Sequence, residues 1–331
     1  MTSGTVVLTR RDVLDLLALD ECIDAVERAF RLYAEGRTIA PGVLAAHAEH
    51  GGFHVKTAGL PLGDRAYFAA KVNANFPGNR ERFSLPTIQG VIALFDAETG
   101  FPLAMLDSGE ITSARTAAAT AVAARYLARA DAAVVTICGC GVQARDQLRA
   151  LARVRPVRLV LALDADRARA EAYATAMARD LAIPVEVADD LGRAVRRSDI
   201  CVTCTTSRRA ILRAEDVPPG IFVAAVGADN PEKQEIDPEL LAVSTVVTDL
   251  LEQCATIGDL HHALAAGVMT RADVHAELGE VVAGSKRGRV ADEEIVIFDS
   301  TGTALQDVAA AALVYERAVA ERRGRTIVLS D

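Results

Sequence analysis

The sequence predicts two domains: a doubly wound α/β domain with a parallel sheet, and a mixed α+β domain. The chain has 331 residues, about twice the ~150 residues of an average domain. Hydrophobic residues make up 51% of it, enough for packed cores. From residue 131 onward, short runs of Val, Ile and Leu alternate with amphipathic helical segments, which is typical of a parallel sheet.

The first third of the chain predicts helices followed by extended segments. Thr9 is expected to cap a short first helix, and Asp20 a second helix that ends at Gly36. Residues 97–100 predict the turn of a hairpin, and residues 111–130 an Ala-rich helix. The predicted extended segments are GFHVKTAGL, RAYFAAKVNA, VIALFD and FPLAMLD.

The second part alternates strands and helices. The predicted strands are AAVVTI, RLVLAL, PVEVA, DICVTCT, GIFVAAVG, STVVTDL and EEIVIFDS. The predicted helices are VQARDQLRALARV, ADRARAEAYATAMARDL and DLGRAVRRS, and TALQDVAAAALVYERAVAE closes the chain.

Charge and composition exclude several classes of partner. Lys and Arg number 36 against 45 Asp and Glu, a net charge of -9, and the chain has no Trp. An acidic chain without a block of basic residues is a poor nucleic-acid binder. No apolar run approaches the ~20 residues of a membrane span, and the first residues lack the pattern of a secretory signal. We therefore expect a cytoplasmic protein that binds neither nucleic acids nor membranes.

A glycine-rich turn follows the strand AAVVTI and precedes a helix. It reads Gly139-Cys140-Gly141-Val142-Gln143-Ala144, a G-x-G-x-x-A pattern in the strand–turn–helix context of a dinucleotide site. The first glycine permits the tight turn, the second lets the backbone approach a pyrophosphate, and the alanine allows close helix packing. The helix N-terminus offers free N–H groups to the phosphates. We predict nucleotide contacts at Gly139, Gly141, Val142, Gln143 and Ala144; the alternative is a glycine turn in a cofactor-free domain.

An acidic residue ends the next predicted strand. Asp164 follows RLVLAL at close to the ~20-residue spacing of a ribose-binding carboxylate. Such a carboxylate accepts hydrogen bonds from the ribose hydroxyls and repels a 2′-phosphate. Residue 165 is Ala, although Arg167 is close. The sequence therefore predicts a Rossmann-type domain that binds NAD, with NADP less favoured.

Two groups of residues have spacings that superficially resemble metal sites. Cys201 and Cys204 lie in a predicted strand, where residues three apart point to opposite faces and cannot grip one ion. His47, His50 and His54 fall in a segment expected to be extended. We predict buried free thiols and no metal site.

Several blocks of residues occur in one order along the chain: KVNANFPGN, LPTIQGVIALFDAETGFPLAMLD, ITSARTAAATA, CGCGVQA, VGADNPEKQEIDPEL, ELGEVVAG and FDSTGTALQDVA. With these blocks the chain resembles the ornithine cyclodeaminase/mu-crystallin family over nearly its whole length. The resemblance implies a homodimer whose substrate-binding domains meet. It assigns 1–116 with 304–331 to substrate binding and dimerisation, and 117–303 to dinucleotide binding.

The resemblance also implies roles for four charged residues. Lys71 and Arg115 are expected to bind the carboxylate of a small amino or imino acid, with Lys56 nearby as a further substrate contact. Asp229 matches the catalytic acid/base of the family, so Asp229 and Lys71 are the candidate catalytic residues. The alternatives are a solvated strand lysine at 71 and a turn-capping aspartate at 229. Roles in packing or at a helix end are left open for Asp307.

Further cofactor contacts are predicted outside the glycine-rich turn. Arg115 and the neighbouring Thr116 are expected to reach the cofactor, as are Thr205 and Ser300. Gly227 allows the chain to approach a nicotinamide closely. Packing remains the alternative for Ser300.

These residues predict an NAD(P)-dependent oxidoreductase that moves hydride at the α-carbon of a small L-amino or imino acid. It would be an amino acid dehydrogenase or an imine reductase. One alternative is an ornithine- or lysine-type cyclodeaminase, with redox-neutral use of NAD. Another is a nucleotide-dependent binding protein without turnover. The chain does not reproduce the acidic residue that ornithine cyclodeaminase uses for its substrate. Crystallin-type members depart from aspartate at the position of Asp229.

Overall fold

The structure, a computed structural model, describes residues 4–329. The chain divides into two compact units. Unit 1 comprises the residues up to Arg115 and those from Thr303 onward, and unit 2 is Thr116–Gly302. Residues 1–3 and 330–331, which the predicted first domain includes, lie outside the described residues. Within the described chain, no helix combines the length and apolar character needed to cross a membrane.

The helices and strands are named in chain order. The strands are β1 (Thr5–Leu8), β2 (Ile39–Ala48), β3 (Gly51–Leu62), β4 (Arg65–Asn75), β5 (Ile88–Asp96), β6 (Pro102–Asp107), β7 (Val134–Cys138), β8 (Leu159–Leu163), β9 (Val185–Val187), β10 (Ile200–Thr203), β11 (Arg208–Leu212), β12 (Phe222–Ala225), β13 (Gln234–Ile236), β14 (Thr245–Thr248), β15 (Ala276–Glu277), β16 (Val296–Asp299) and β17 (Arg325–Ile327). The helices are α1 (Arg10–Leu16), α2 (Leu19–Ala34), α3 (Asn79–Phe83), α4 (Ser108–Leu127), α5 (Val142–Val154), α6 (Arg167–Leu181), α7 (Leu191–Val195), α8 (Pro238–Ala242), α9 (Leu251–Ile257), α10 (Asp259–Ala265), α11 (Leu278–Ala283) and α12 (Ala304–Ala320). Short 3-10 turns lie at Ala214–Asp216 and Arg271–Asp273.

Unit 1 is built on a mixed sheet with the strand order β17-β1-β6-β5-β4-β3-β2. Strands β2 to β6 are antiparallel neighbours, and the hairpin predicted at residues 97–100 joins β5 to β6. The strand β1 runs parallel to β6, and β17 closes the sheet antiparallel to β1. Helix α12 packs on α2, β3 and β4, so one face of the sheet is buried beneath the last helix.

Helix ends near the start of the chain follow local capping chemistry. Thr9 caps α1 as predicted, and its hydroxyl accepts from the backbone N–H of Asp12. The expectation that Asp20 caps the second helix was wrong, because α2 begins at Leu19 after Ala18 and Asp20 lies in its first turn. A carboxylate there still favours the helix dipole. Gly36 follows the helix end with φ +68°.

The Ala-rich helix α4 starts earlier than predicted. The carboxylate of Asp107 accepts from the backbone N–H groups of Gly109 and Glu110, which moves the start to Ser108. Arg115 therefore lies well inside the helix.

Unit 2 is built on a parallel sheet with the order β15-β14-β16-β12-β10-β7-β8-β9. Every pairing in this sheet is parallel, which confirms the predicted α/β class. The chain runs from β7 through β8 to β9 on one side, and through β10 and β12 on the other. The order thus reverses at β7, and ligands of open α/β sheets bind at the carboxyl ends of strands at such a switch point.

Candidate active site

The glycine-rich turn follows β7 at the switch point of unit 2. Gly139 has φ +94°, and a Cβ there would lie 3.0 Å from the carbonyl oxygen of Cys204. Its own N–H donates to the carbonyl of Leu163 at 2.8 Å. The turn therefore requires glycine at this position, for its backbone conformation and for close packing.

The second glycine has a different environment. Gly141 is the N-cap of α5, and a Cβ there would meet no heavy atom of the described residues within 4 Å. The open space adjoins the first N–H groups of α5, which carry partial positive charge. Val142 is 78% exposed, whereas Ala144 is fully buried and its carbonyl accepts from the Tyr173 hydroxyl. The side-chain oxygen of Gln143 is buried without a hydrogen-bond partner in residues 4–329.

Asp164 fastens this turn from the end of β8. One carboxylate oxygen accepts from the N–H of Cys140 at 2.8 Å, and the other from the N–H of Asp166 at 2.9 Å. Arg169 lies 3.4 Å from the second oxygen. Arg167, in contrast, is paired with other acidic side chains, those of Glu171 and Asp189. Together with the open space at Gly141 and the free helix N-terminus, these residues fit the pyrophosphate and ribose of a dinucleotide.

Glu235 supports two of the predicted cofactor residues, and sequence reasoning missed it. Its buried carboxylate accepts from the N–H of Thr205 at 2.6 Å and from the N–H of Gly227 at 2.9 Å. The Thr203 hydroxyl donates to it at 2.7 Å. Burial raises the pKa of Glu235, and these hydrogen bonds counteract part of the rise. A Cβ on Gly227 would lie 2.5 Å from this carboxylate, so glycine is needed there for the contact.

Asp229 follows β12 and is half-exposed. Its Oδ1 lies 2.7 Å from the Nζ of Lys233, four residues later. The backbone carbonyl of Lys233 lies 2.8 Å from the Nε2 of His262. The candidate acid/base thus stands beside a cation of its own loop, a partner the sequence did not indicate.

Ser300 faces a buried carboxylate within unit 2. Its hydroxyl donates to Asp249 at 3.1 Å, and the N–H of Gly302 donates to the same residue at 2.6 Å. Asp299 and Asp259 continue this buried acidic network, with Asp299 accepting from the N–H of Leu260 at 2.9 Å. The role of Ser300 toward the cofactor stays a prediction, since the contact seen is structural.

The register of unit 1 places two lysines side by side. Lys56 on β3 lies directly opposite Lys71 on β4, and Ile92 on β5 lies opposite Lys71 on its other side. Residues that face each other across strands share one face of a sheet. Both lysines are buried, so Lys71 lies on the covered face of the sheet, and the alternative of a solvated strand lysine is wrong.

Asp307 on α12 connects two of the predicted acid-binding cations. Its Oδ2 lies 2.7 Å from the Nζ of Lys71, and its Oδ1 lies 2.9 Å from the Nε of Arg115. The adjacent Gln306 accepts from the Nη1 of Arg115 at 2.6 Å. Lys71 also donates to the Thr112 hydroxyl at 3.5 Å. The structure therefore unites Lys56, Lys71 and Arg115 in one cluster, and adds Asp307 as their buried counter-ion.

The surroundings shift the protonation of this cluster. Burial and the neighbouring Arg115 charge lower the pKa of Lys71 to about 7, while Asp307 opposes the fall. Burial alone would raise the pKa of Asp307, but the Arg115 and Lys71 cations outweigh it and hold that pKa below its usual range. The cluster thus carries an ionised acid and a lysine that titrates near neutrality.

The remaining predicted positions are placed as follows. Thr116 is buried on α4, and its carbonyl accepts from the Thr120 hydroxyl. His47 and His54 lie on β2 and β3. No group of three or more His, Cys, Asp or Glu side chains within residues 4–329 could hold a metal ion.

Three solved structures are closely similar to this chain. An archaeal alanine dehydrogenase dimer with bound NAD has a TM-score of 0.94 and 42% identity, covering 99% of this chain and 100% of that chain. The Delta(1)-pyrroline-2-carboxylate reductase of Thermococcus litoralis, in complex with NADH and L-proline, has a TM-score of 0.93 and 33% identity, covering 98% and 100%. The iminosuccinate reductase of Paracoccus denitrificans, in complex with NAD+, has a TM-score of 0.90 and 31% identity, covering 98% and 99%.

A family model matches residues 3–322, which include both the glycine-rich turn of unit 2 and the cationic cluster of unit 1. The similarity to known proteins therefore spans both sites and not the nucleotide-binding fold alone. The chain belongs to the ornithine cyclodeaminase/mu-crystallin family.

Proposed function

We propose that the protein is an NAD(P)-dependent oxidoreductase that acts at the α-carbon of a small L-amino or imino acid. Three similar proteins, an alanine dehydrogenase, a pyrroline-2-carboxylate reductase and an iminosuccinate reductase, have structures with bound NAD or NADH. Their named substrates share an α-nitrogen beside a carboxylate. The chemistry common to them is hydride transfer at the carbon that carries this nitrogen.

The observation that carries the proposal is the buried charge of unit 1. Among residues 4–115 and 303–329, the buried charged side chains are Lys56, Lys71, Arg115 and Asp307. Three cations face one carboxylate inside this unit. Clustered cations give the site a positive potential, which favours an anionic ligand. The carboxylate of an amino or imino acid supplies that charge, and the planar fork of Arg115 suits a carboxylate geometrically.

The proposed division of labour follows from these residues. Lys71 and Arg115 bind and orient the substrate carboxylate, with Lys56 adding positive potential. Asp229 accepts or returns the proton of the α-nitrogen. NAD, when bound to unit 2, supplies or accepts the hydride. Orientation of the reacting carbon against the coenzyme contributes on the order of 7–11 kcal/mol in favourable enzymes.

The preferred coenzyme in this proposal is NAD. Asp164 places a carboxylate at the end of β8, where it would repel a 2′-phosphate. Arg167 is engaged with Glu171 and Asp189, so it is not held toward the turn. The dissociation constants of NADH and NADPH, measured through their fluorescence on binding, test this preference.

We also propose a homodimer formed through the uncovered face of the unit 1 sheet. The strand register places five exposed apolar side chains on that face, opposite to the face covered by α12. They are Leu44, Phe53, Val72, Val91 and Met105. Contiguous exposed apolar patches mark interaction surfaces. Sedimentation should give twice the mass of one chain, and Val91→Arg should give a single chain that still binds NADH.

The proposed reaction is tested with candidate acids in both directions. The protein is incubated with NAD and L-alanine, L-proline, L-aspartate or L-ornithine, and with NADH, ammonium and the matching keto acids. Absorbance at ~340 nm and ammonia are followed together. A net change in NADH supports the proposal. Ammonia release without such a change would indicate a cyclodeaminase, and NADH binding without any product a binding protein.

The role of Asp229 has a separate test. Asp229→Asn should bind NADH as the wild type does and lose about 10²-fold or more in turnover, since the proton transfer is removed. Unchanged turnover would exclude Asp229 from the reaction.

A further inference from the structure

The distribution of lysine in the chain is unusual. Four of the 36 cationic residues are lysines, namely Lys56, Lys71, Lys233 and Lys286. Two of these four are buried opposite each other on β3 and β4. Arginine stays charged at any ordinary pH, whereas a buried lysine changes its protonation readily. A chain whose other cations are mostly arginines thus has two of its four lysines at buried positions, where a cation can lose its charge.

The groups that face Lys71 come from every element packed around it. Lys56 lies opposite on β3, and the apolar Ile92 lies opposite on β5. Thr112 and Arg115 approach from α4, and Asp307 from α12. Asp307 is the single buried acid among residues 4–115 and 303–329.

This arrangement sets two effects against each other at the Nζ of Lys71. Like charges directly opposite on neighbouring strands are destabilising, and burial penalises the ammonium form. The Asp307 carboxylate, at 2.7 Å, favours the ammonium and is itself held at 2.9 Å by Arg115. Without Asp307, Lys71 would face two cations in a buried site and would release its proton at a lower pH.

We propose that Asp307 is a positioning residue that fixes Lys71 and keeps its ammonium form accessible near neutral pH, so that binding of an acid draws a proton onto Lys71. The proton comes from solvent and goes to Nζ, and no bond other than this N–H forms. The inference rests on the proposed function in one respect, namely that the ligand completing the cluster is a carboxylate. A carboxylate adds a second negative charge and raises the fraction of Lys71 that is protonated.

The first experiment measures Lys71 directly and needs no substrate. Lysine labelled with ¹³C at Cε gives four signals, which the variants Lys56→Arg, Lys233→Arg and Lys286→Arg assign. The Lys71 signal of the wild type is expected to titrate near pH 7. In Asp307→Asn its midpoint should fall by about 1–3 pH units. Asp307→Glu keeps the charge and should keep the midpoint near neutrality.

A matched control lies on the same helix. Glu316 on α12 accepts from the Tyr67 hydroxyl at 2.7 Å and is not part of the cationic cluster. Glu316→Gln should change the melting temperature without moving the Lys71 midpoint. A wild-type midpoint above pH ~10, the ordinary range of lysine, would overturn the proposal, as would an equal midpoint in Asp307→Asn.

The second experiment measures proton uptake by the wild type. Binding of L-proline, L-alanine or L-aspartate to the NADH-loaded protein is followed by calorimetry in two buffers of different ionisation enthalpy. Uptake approaching one proton is expected at pH 8, and almost none at pH 5.5, where Lys71 is already charged. Binding with no proton uptake at pH 8 would overturn the inference, even if Asp307→Asn fails to fold.

The two proposals fail in different ways. If no acid binds and no product forms, the proposed function is wrong, while the Lys71 titration still decides the role of Asp307. If acids bind and react with a pH-independent KM, the function stands and the inference is wrong.

Discussion

The two units of this protein bury charge of opposite sign. Within residues 4–115 and 303–329 the buried charged residues are three cations and one acid, whereas within 116–302 they are acids alone. The acids of unit 2 are Glu235, Asp249, Asp259 and Asp299. Both arrangements cost desolvation energy, so each must be compensated locally.

The two units compensate their buried charges with different partners, backbone N–H groups in unit 2 and a side chain in unit 1. A carboxylate can be satisfied by N–H groups, and those of unit 2 accept from loop and helix-end amides, as Asp259 does from Glu235 and Ile236. The buried cations of unit 1 are instead compensated by a charged side chain, the carboxylate of Asp307. The buried acids of unit 2 therefore fix loops through hydrogen bonds. The cationic cluster of unit 1 has a positive potential that an anionic ligand can neutralise.

The largest expected effect comes from removing a cation of unit 1. Lys71→Met should lower turnover of the acid substrate by about 10³-fold, since it removes a charged contact to the substrate. NADH affinity, which depends on unit 2 in our proposal, should stay within about twofold of the wild type. Steady-state rates and NADH fluorescence measure the two. Lys286→Met, at an exposed position, is the control. Equal loss of NADH affinity would break the distinction between the units.

Removing an acid of unit 2 should act on stability. Glu235→Ala leaves the Thr203 hydroxyl and the N–H groups of Thr205 and Gly227 without their acceptor. At about 1–3 kcal/mol for each buried donor, the free energy of unfolding should fall by about 3 kcal/mol or more. Urea unfolding measures it. The exposed Glu239→Ala provides the comparison, and an equally small effect in both variants would show that Glu235 braces nothing.

Substitutions at the two glycines of the turn should separate effects on stability from effects on nucleotide binding. Gly141→Ala meets open space and should keep stability, yet NADH affinity should fall about tenfold because the methyl group occupies the approach of the pyrophosphate. Gly139→Ala forces a positive φ and should instead destabilise the fold by about 1–2 kcal/mol. Thermal melts with and without NADH separate the two. Wild-type NADH affinity in Gly141→Ala would place the nucleotide elsewhere.

The smallest expected effect concerns pH. Burial and the charge of Asp249 raise the pKa of Asp299 to about 7, above its ordinary value of 3.8. A raised folded-state pKa contributes stability that is complete below the ordinary value and is lost as the pH rises through about 7. The side chain of Asn does not titrate, so the free energy of unfolding of Asp299→Asn should fall by about 1 kcal/mol less than that of the wild type between pH 6 and pH 7. Melting temperatures across this range test it, and parallel curves for the two proteins would contradict it.

Local signals in the sequence predicted the fold of unit 2 well. The Gly139 turn and the alternation of apolar strands with amphipathic helices act over few residues, and the structure confirms the parallel sheet. The small pairing of β11 with β13 was not predicted, because both strands are short, with five and three residues. The early start of α4 was not predicted, because the sequence places Asp107 at the end of a strand, whereas its side chain also caps the helix that follows.

The sequence predicted Lys71, Arg115 and Asp229 as candidate site residues. It indicated neither the pairing of Asp307 with Lys71 nor the support of Thr205 by Glu235. Lys71 and Arg115 were identified by the sequence blocks around them. Asp307 lies far along the chain, and Glu235 acts through backbone amides. In both cases the interacting residues are far apart in the sequence and follow no recognisable spacing. Their contacts are therefore seen only in the folded chain.

The order in which the chain is synthesised has a consequence for unit 1. Unit 2 is one continuous segment, but the sheet of unit 1 is completed by β17 and covered by α12, which are synthesised only after the whole of unit 2. Until then, Lys56 and Lys71 lie on a face that lacks its helix and its counter-ion. During synthesis, unit 1 therefore remains partly assembled while unit 2 can already fold. Unit 1 should therefore depend on chaperones more than unit 2, and it should be the unit left incomplete when translation stops early.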